Sequence, residues 1–191
     1  MTRNYDSGRA VPRELLLDLV EMAGRAPSAG KTQGWHLVAL EGPDTERFWR
    51  HTLAVEARAN FAWEGLLAAP VLALPFADAS AYLERYSRPD KAAAGLGGDA
   101  GRWPSPFWTI DTAFSVMTLL LGAEDAGLGT LFFGVAKGEA ELRAELGVPD
   151  GLQLLGAITI GYRAPEGDRP VRLANRPVRR PPNEIVHFGQ W

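Results

Sequence analysis

Cysteine is absent from the 191-residue chain. That excludes disulfides, thiolate nucleophiles, iron–sulfur clusters and zinc–thiolate sites, and it suits a reducing cytoplasm. Long apolar runs are absent too. The most apolar stretch, 113–127, is interrupted by Glu124 and Asp125, so no membrane-crossing helix is expected. There is no excess of positive charge; the formal net charge is -3, which offers nucleic acid no general attraction. Behind Met1-Thr2-Arg3-Asn4-Tyr5 there is no apolar signal core, so export is not expected and the cytoplasm is. What is present is 46% hydrophobic and 23% charged residues, the balance of a globular protein. The length suits one domain with its own core.

Periodicity predicts a mixed α and β chain. Leu15, Leu16, Leu19, Val20, Met22 and Ala23 recur at helical spacing over 11–26, with Pro12 in the first turn and Pro27 as the stop. A polar loop, 28–33, leads to a strand over 35–40. A helix is expected after Pro43, capped by Asp44 or Thr45, and then a buried strand over 70–76. The stretch 88–106 reads as loop. The next helix, 108–126, is apolar nearly all round (Ile110, Ala113, Phe114, Met117, Leu120 and Leu121, widened by Val116 and Leu119), which places it in a core or a subunit interface. A strand over 130–133, a helix over 139–146 closed by Gly147, and a strand over 154–162 follow. From about 163 the chain is rich in proline and arginine. This arm should pack over a surface, its own or a partner's. No repeat or linker divides residues 1–191.

The common catalytic signatures are missing: no G-x-S-x-G elbow, P-loop or H-E-x-x-H. His36, His51 and His187 lie on different elements, so no metal site is expected. The glycines between Gly95 and Gly101 lack the strand and helix that a dinucleotide fingerprint needs. Elimination leaves a binding protein, or an enzyme whose cofactor carries the chemistry.

Three segments, in order along the chain, resemble the nitroreductase family. The first is Gly24-Arg25-Ala26-Pro27-Ser28-Ala29-Gly30-Lys31-Thr32-Gln33-Gly34-Trp35, similar to the family's A-P-S-x-x-N-x-Q-P-W loop, which touches the flavin. Ser28 offers a hydroxyl, Gly30 permits close backbone approach, and Gln33 can donate and accept. Two positions depart from the pattern: Lys31 stands for asparagine and Gly34 for proline. Lys31 could add positive charge near the ring or point to solvent. The second segment, 123–134, resembles the family's central helix, glycine turn and strand beside the flavin. Phe132, Phe133 and Gly134 would supply backbone against the ring, their side chains being core. The third is arginine placement. Arg3, before Tyr5, resembles the basic position of the R-x-S-x-R-x-F/Y phosphate motif, whose earlier members would precede Met1. Arg179 and Arg180 resemble the basic pair that closes over the same phosphate, for which the guanidinium fork is suited. A solvated basic strip is the alternative, since Arg163, Arg169, Arg172 and Arg176 share that region.

A fourth stretch, from Trp103 to Asp111, resembles a W-P-x-P-Y-W-x-x-D subgroup motif. Trp103, Phe107 and Trp108 would line the substrate face or plug a dimer seam. The resemblance implies a three-layer α+β fold, its mostly antiparallel central sheet flanked by helices, and a homodimer joined along the central helix. The implied cofactor set is Arg3, Pro27, Ser28, Ala29, Gly30, Lys31, Gln33, Phe132, Phe133, Gly134, Arg179 and Arg180 around FMN. No side chain is expected to act as catalyst. NADH or NADPH would reduce the flavin, and a nitroaromatic, quinone or similar small molecule would reoxidise it in a ping-pong cycle. A flavin-dependent dehydrogenase or reductase of a specialised metabolite, or a non-catalytic flavin binder, are the alternatives.

Overall fold

The computed structural model describes residues 1–168 and 178–191. Its spine is strand β2 (Val71–Asp78), which is buried along almost its whole length. Side chains alternate across a strand, so a run apolar at every position needs cover on both faces. It has that cover. Strands β1 (Trp35–Glu41), β3 (Gly129–Phe133), β4 (Leu152–Leu154) and β5 (Ala157–Gly161) complete an antiparallel sheet of order β1-β2-β5-β3, with β4 also paired to β2.

On one face, Leu40, Leu72, Leu74, Phe76 and Leu131 pack with Phe48, Trp49 and Leu142. The last three come from helices α2 (Glu46–Thr52) and α6 (Glu139–Leu146), and a short helix, α3 (Val55–Arg58), follows α2. On the other face Val71, Ala73, Ile158 and Ile160 meet α1 (Arg13–Ala23) and α5 (Phe107–Asp125) through Leu16, Leu19, Ala23, Val116, Leu119 and Ala123. The result is the three-layer α+β arrangement that the resemblance implies.

Four expectations are corrected. Helix α1 is shorter than 11–26: Pro12 caps it from outside, and the chain turns off at Gly24. The residues after Pro43 form a 3-10 turn, Gly42–Thr45, before α2; Thr45 donates its hydroxyl to the Gly42 carbonyl (2.9 Å) and makes no side-chain cap. Helix α4 (Ala79–Ser87) was not expected. Asp78 caps it, accepting the backbone N–H groups of Ser80 (2.8 Å) and Ala81 (3.3 Å). Finally, the strand expected over 154–162 is two strands. Phe76 pairs with Leu154, but Ala73 pairs with Ile158, so one extra residue bulges between them opposite Pro75. Proline gives that stretch no backbone donor, and its carbonyl accepts from Leu155 instead (3.0 Å).

Helix α5 divides differently from its pattern. Thr112, Ser115, Val116, Leu119 and Ala123 are buried, whereas Phe114, Met117 and Leu121 are 47%, 51% and 59% exposed. Spaced at i, i+3 and i+7, these three form one apolar stripe facing away from the sheet.

Helices α2 and α6 are joined by charge. Glu145 accepts from Arg47 (2.8 Å), Arg50 and His51 (2.5 Å). These bonds, Arg50 first, hold its carboxyl down at about 2. A depressed acid adds stability above its unfolded value and loses it as pH falls through its folded value. The protein is therefore expected to lose stability between about pH 4.5 and 2, and Glu145→Gln should flatten that part of the profile. Denaturant melts at pH 5 and pH 3 measure it; an unchanged acid limb in the variant would refute the assignment.

Candidate functional site

The polar loop forms as expected, at the β1 edge of the sheet. Pro27 and an extended Ser28 follow the end of α1, and a tight turn, Ala29–Lys31, carries the chain into β1. Gly30, Lys31 and Gln33 all have positive φ, at 62°, 55° and 54°. A single residue of this kind costs a side-chain-bearing amino acid about 1 kcal/mol, and asparagine or glycine less. Lys31 therefore holds a conformation better suited to the asparagine of the family pattern. Lys31→Gly is expected to stabilise the fold by about 0.5–1 kcal/mol in urea melts. A variant less stable than the parent would show that the lysine side chain makes a compensating contact.

Four interactions fix the loop. Ser28 Oγ accepts the backbone N–H of Gln33 (3.1 Å), and Gln33 Nε2 donates to the Gly24 carbonyl (2.6 Å). Arg85 Nε, from α4, donates to the Gly30 carbonyl (2.9 Å), while its other nitrogens grip Asp90. The backbone N–H of Ala29 donates to Asp111 Oδ2 of α5 (2.7 Å). Those bonds leave particular groups free. Ser28 keeps a hydroxyl proton to donate, and Gln33 keeps Oε1 to accept. Both border an open cleft of about 520 Å³ shared with Pro27 and Lys31.

Aromatic rings support the loop from behind. Trp103 packs edge-on against Tyr86 (4.7 Å between centroids) and Tyr82 (5.8 Å), and touches Phe107 and Trp108. Trp103 is buried and donates Nε1–H to the Leu96 carbonyl (3.0 Å); Phe107 and Trp108 keep partial exposure. A Cβ on Gly34 would come within 2.8 Å of the Tyr82 ring, which explains glycine where the pattern has proline.

The other expected residues lie elsewhere. Arg3 sits by the first residues of β3, at the opposite edge and end of the sheet: Thr2 N–H donates to the Thr130 carbonyl (2.8 Å). Its guanidinium stands 5.7 Å from the Trp63 ring centroid. Phe132, Phe133 and Gly134 end that same strand. Phe133 is core, stacked on Trp49 (6.2 Å), but Phe132 is 39% exposed, against the expectation for its side chain; Gly134 is open. Opposite them, Gly156 leaves no space for a side chain, since its Cβ would lie 2.6 Å from the Phe133 carbonyl oxygen. Arg179 and Arg180 are exposed on the arm, Arg180 beside Glu184 (3.7 Å). Arg169, Arg172 and Arg176 fall outside the described residues.

Sequence reasoning missed Tyr82, Arg85 and Asp111 as parts of this site. For Asp111 a signal existed, a lone acid on the first turns of an otherwise apolar helix. Tyr82 and Arg85 were hidden because α4 itself was missed, although Asp78 two residues before Ser80 is a usable cap signal.

The structure is thus a three-layer α+β fold whose polar loop, held by Arg85 and Asp111, borders an open cleft. The Nitroreductase family pattern matches residues 1–162, and the chain belongs to that family. It is 29% identical to an NADH dehydrogenase of Thermus thermophilus, over 82% of this chain and 80% of that one. In fold it is similar to a nitroreductase-like protein of Streptococcus mutans (TM-score 0.74, 18% identity, 98% and 92% of the two chains). It is also similar to a nitroreductase-type protein of Exiguobacterium sibiricum solved in complex with FMN (TM-score 0.70, 18% identity, 98% and 91%). Membership of this family makes the chain an FMN-dependent oxidoreductase. Among the described residues no helix is long and apolar enough to cross a membrane.

Proposed function

We propose that the chain oxidises NADH or NADPH and reduces a small organic acceptor, such as a nitroaromatic or quinone, at an FMN held between two copies. The observation that carries this reading is the loop's pattern of unused groups. A flavin's pyrimidine edge presents an N–H donor between two carbonyl acceptors. Gln33 Oε1 can accept from the first, and the Ser28 hydroxyl can donate to one of the others. Lys31, held at positive φ, lines the same cleft. Arg3, Arg179 and Arg180 would bind the phosphate, and the backbone of Phe132 to Gly134 would lie against the ring. Bound there, FMN supplies the hydride-transferring ring. The protein's part is to hold it, orient it and limit water, which needs no catalytic side chain.

Two copies are needed because the expected residues of one chain are too far apart. The loop and Arg3 occupy diagonal corners of a four-strand path. At about 4.8 Å per strand and about 3.3 Å per residue they are separated by on the order of 25 Å. A single flavin cannot reach both, whereas a symmetric pair can bring one copy's loop to the other's Arg3. Two further features support the pairing. The Phe114, Met117 and Leu121 stripe is uncovered, and the arm's Val178, Phe188 and Trp191 touch little of their own chain.

Purified protein supplied with FMN should keep visible flavin absorbance through desalting, and NADH or NADPH should bleach it within seconds. Absence of retained flavin would refute the cofactor site. Retained flavin that only an organic substrate bleaches would replace the reductase reading with a dehydrogenase.

A further inference from the structure

Beneath the loop lies a buried polar pair that the cofactor reading does not use. Asp111 is 5% exposed, and one of its oxygens, Oδ2, accepts both the Ala29 backbone N–H (2.7 Å) and the Tyr82 hydroxyl (2.8 Å). Tyr82 is buried in turn, and its ring lies close against Gly34, where a Cβ would come within 2.8 Å of it. Burial, then the neighbouring Asp111 carboxylate, push the phenol well above its usual range, so the hydroxyl remains a donor. The space bounded by Ser28, Gln33, Tyr82 and Asp111 has no room for a water molecule, so these contacts are direct. The pair thus meets the loop at two points: Asp111 bonds Ala29, and the Tyr82 ring packs against Gly34. Between those two points lie all three positive-φ residues of the loop, Gln33 among them, and Ser28 directly precedes Ala29; Ser28 and Gln33 border the cleft.

We infer that Tyr82 and Asp111 are positioning residues that hold the loop in its cofactor-receiving conformation before the cofactor arrives. The physical reason is competition. Three positive-φ residues in four make the loop costly to form, and without an anchor it would relax to extended backbone. A buried carboxylate accepting two donors is a strong anchor, because breaking either bond strands a buried polar group. Residue 34 can pack this closely against Tyr82 only without a side chain, since a Cβ there would also come within 3.0 Å of the Ala81 Cβ. The effect of the pair should therefore appear in cofactor affinity more than in global stability.

This inference rests on the FMN reading, and the test separates the two. Apo full-length parent, Tyr82→Phe, Asp111→Asn and Asp111→Leu are titrated with FMN by quenching of flavin fluorescence, and each apo form is melted. Tyr82→Phe loses one bond and should bind about 10-fold more weakly. Asp111→Leu leaves two buried donors unpaired. It should melt lower than the parent and bind about 100-fold more weakly, a loss larger than its lower melting temperature accounts for. Tyr82→Phe and Asp111→Asn should melt close to the parent. Asp111→Asn keeps an oxygen that can accept both bonds, and should rescue affinity to within about 3-fold of the parent. FMN affinity unchanged in both Tyr82→Phe and Asp111→Leu would overturn the inference. So would Asp111→Asn binding as poorly as Asp111→Leu, or affinity falling only in step with melting temperature. A parent that binds no FMN would overturn the cofactor reading itself and this inference with it.

Discussion

Co-expression of an Arg3→Glu chain with a Ser28→Ala, Gln33→Ala chain is expected to restore FMN binding that neither chain has by itself. Arg3→Glu replaces a phosphate donor with a like charge and should weaken FMN by about 100-fold or more. The double loop variant removes the free donor and the free acceptor that face the cleft, with a comparable loss. If each site takes its loop from one copy and Arg3 from the other, a mixed dimer holds one site with both defects and one with neither. Random pairing at equal expression makes about half the dimers mixed, so about a quarter of all sites are intact. Bound flavin per chain after desalting reads this directly. Recovery near zero would mean that loop and Arg3 serve the same site from the same chain, or that they serve no common site.

The second large effect is expected from Met117→Glu. In the isolated chain Met117 is half exposed at the centre of the α5 stripe, between Phe114 and Leu121. The substitution should change the folding stability of one chain by no more than about 0.5 kcal/mol. In a symmetric pair joined along α5 it would bury two unpaired carboxylates. Each costs several kcal/mol, enough to raise the dimer dissociation constant by about 1,000-fold or more. Light scattering at micromolar concentration should then return a monomer, and flavin should be lost although no loop residue has changed. A Met117→Glu protein that stays dimeric and yellow would remove α5 from the interface.

What the chain's sequence determines is whatever depends on neighbours in sequence. The run from Pro70 to Phe76 is apolar at every position and reads as a buried strand, which β2 confirms. Gly147 closes α6 at the residue expected, because positive φ at a helix end suits glycine. The loop from Pro27 to Gln33 is legible for the same reason: its proline, serine and glycine each impose a local constraint. Tertiary structure alone decided the rest. Composition made α5 apolar all round, but only packing against α1 and the sheet chose Leu119 and Ala123 for the core and left Phe114, Met117 and Leu121 outside. The break at Leu155 and Gly156 depends on Pro75, about 80 residues earlier, because a missing donor in one strand is felt only by its neighbour. The same holds at the site. Ser28 and Gln33 can be read from their own segment, yet their free donor and acceptor are set by bonds to Gly24 and to each other, and their placement by Tyr82, Arg85 and Asp111 from two other helices. A hydrogen bond to a residue 82 positions away leaves no mark in local sequence. Its energy comes from burial that only the assembled fold creates.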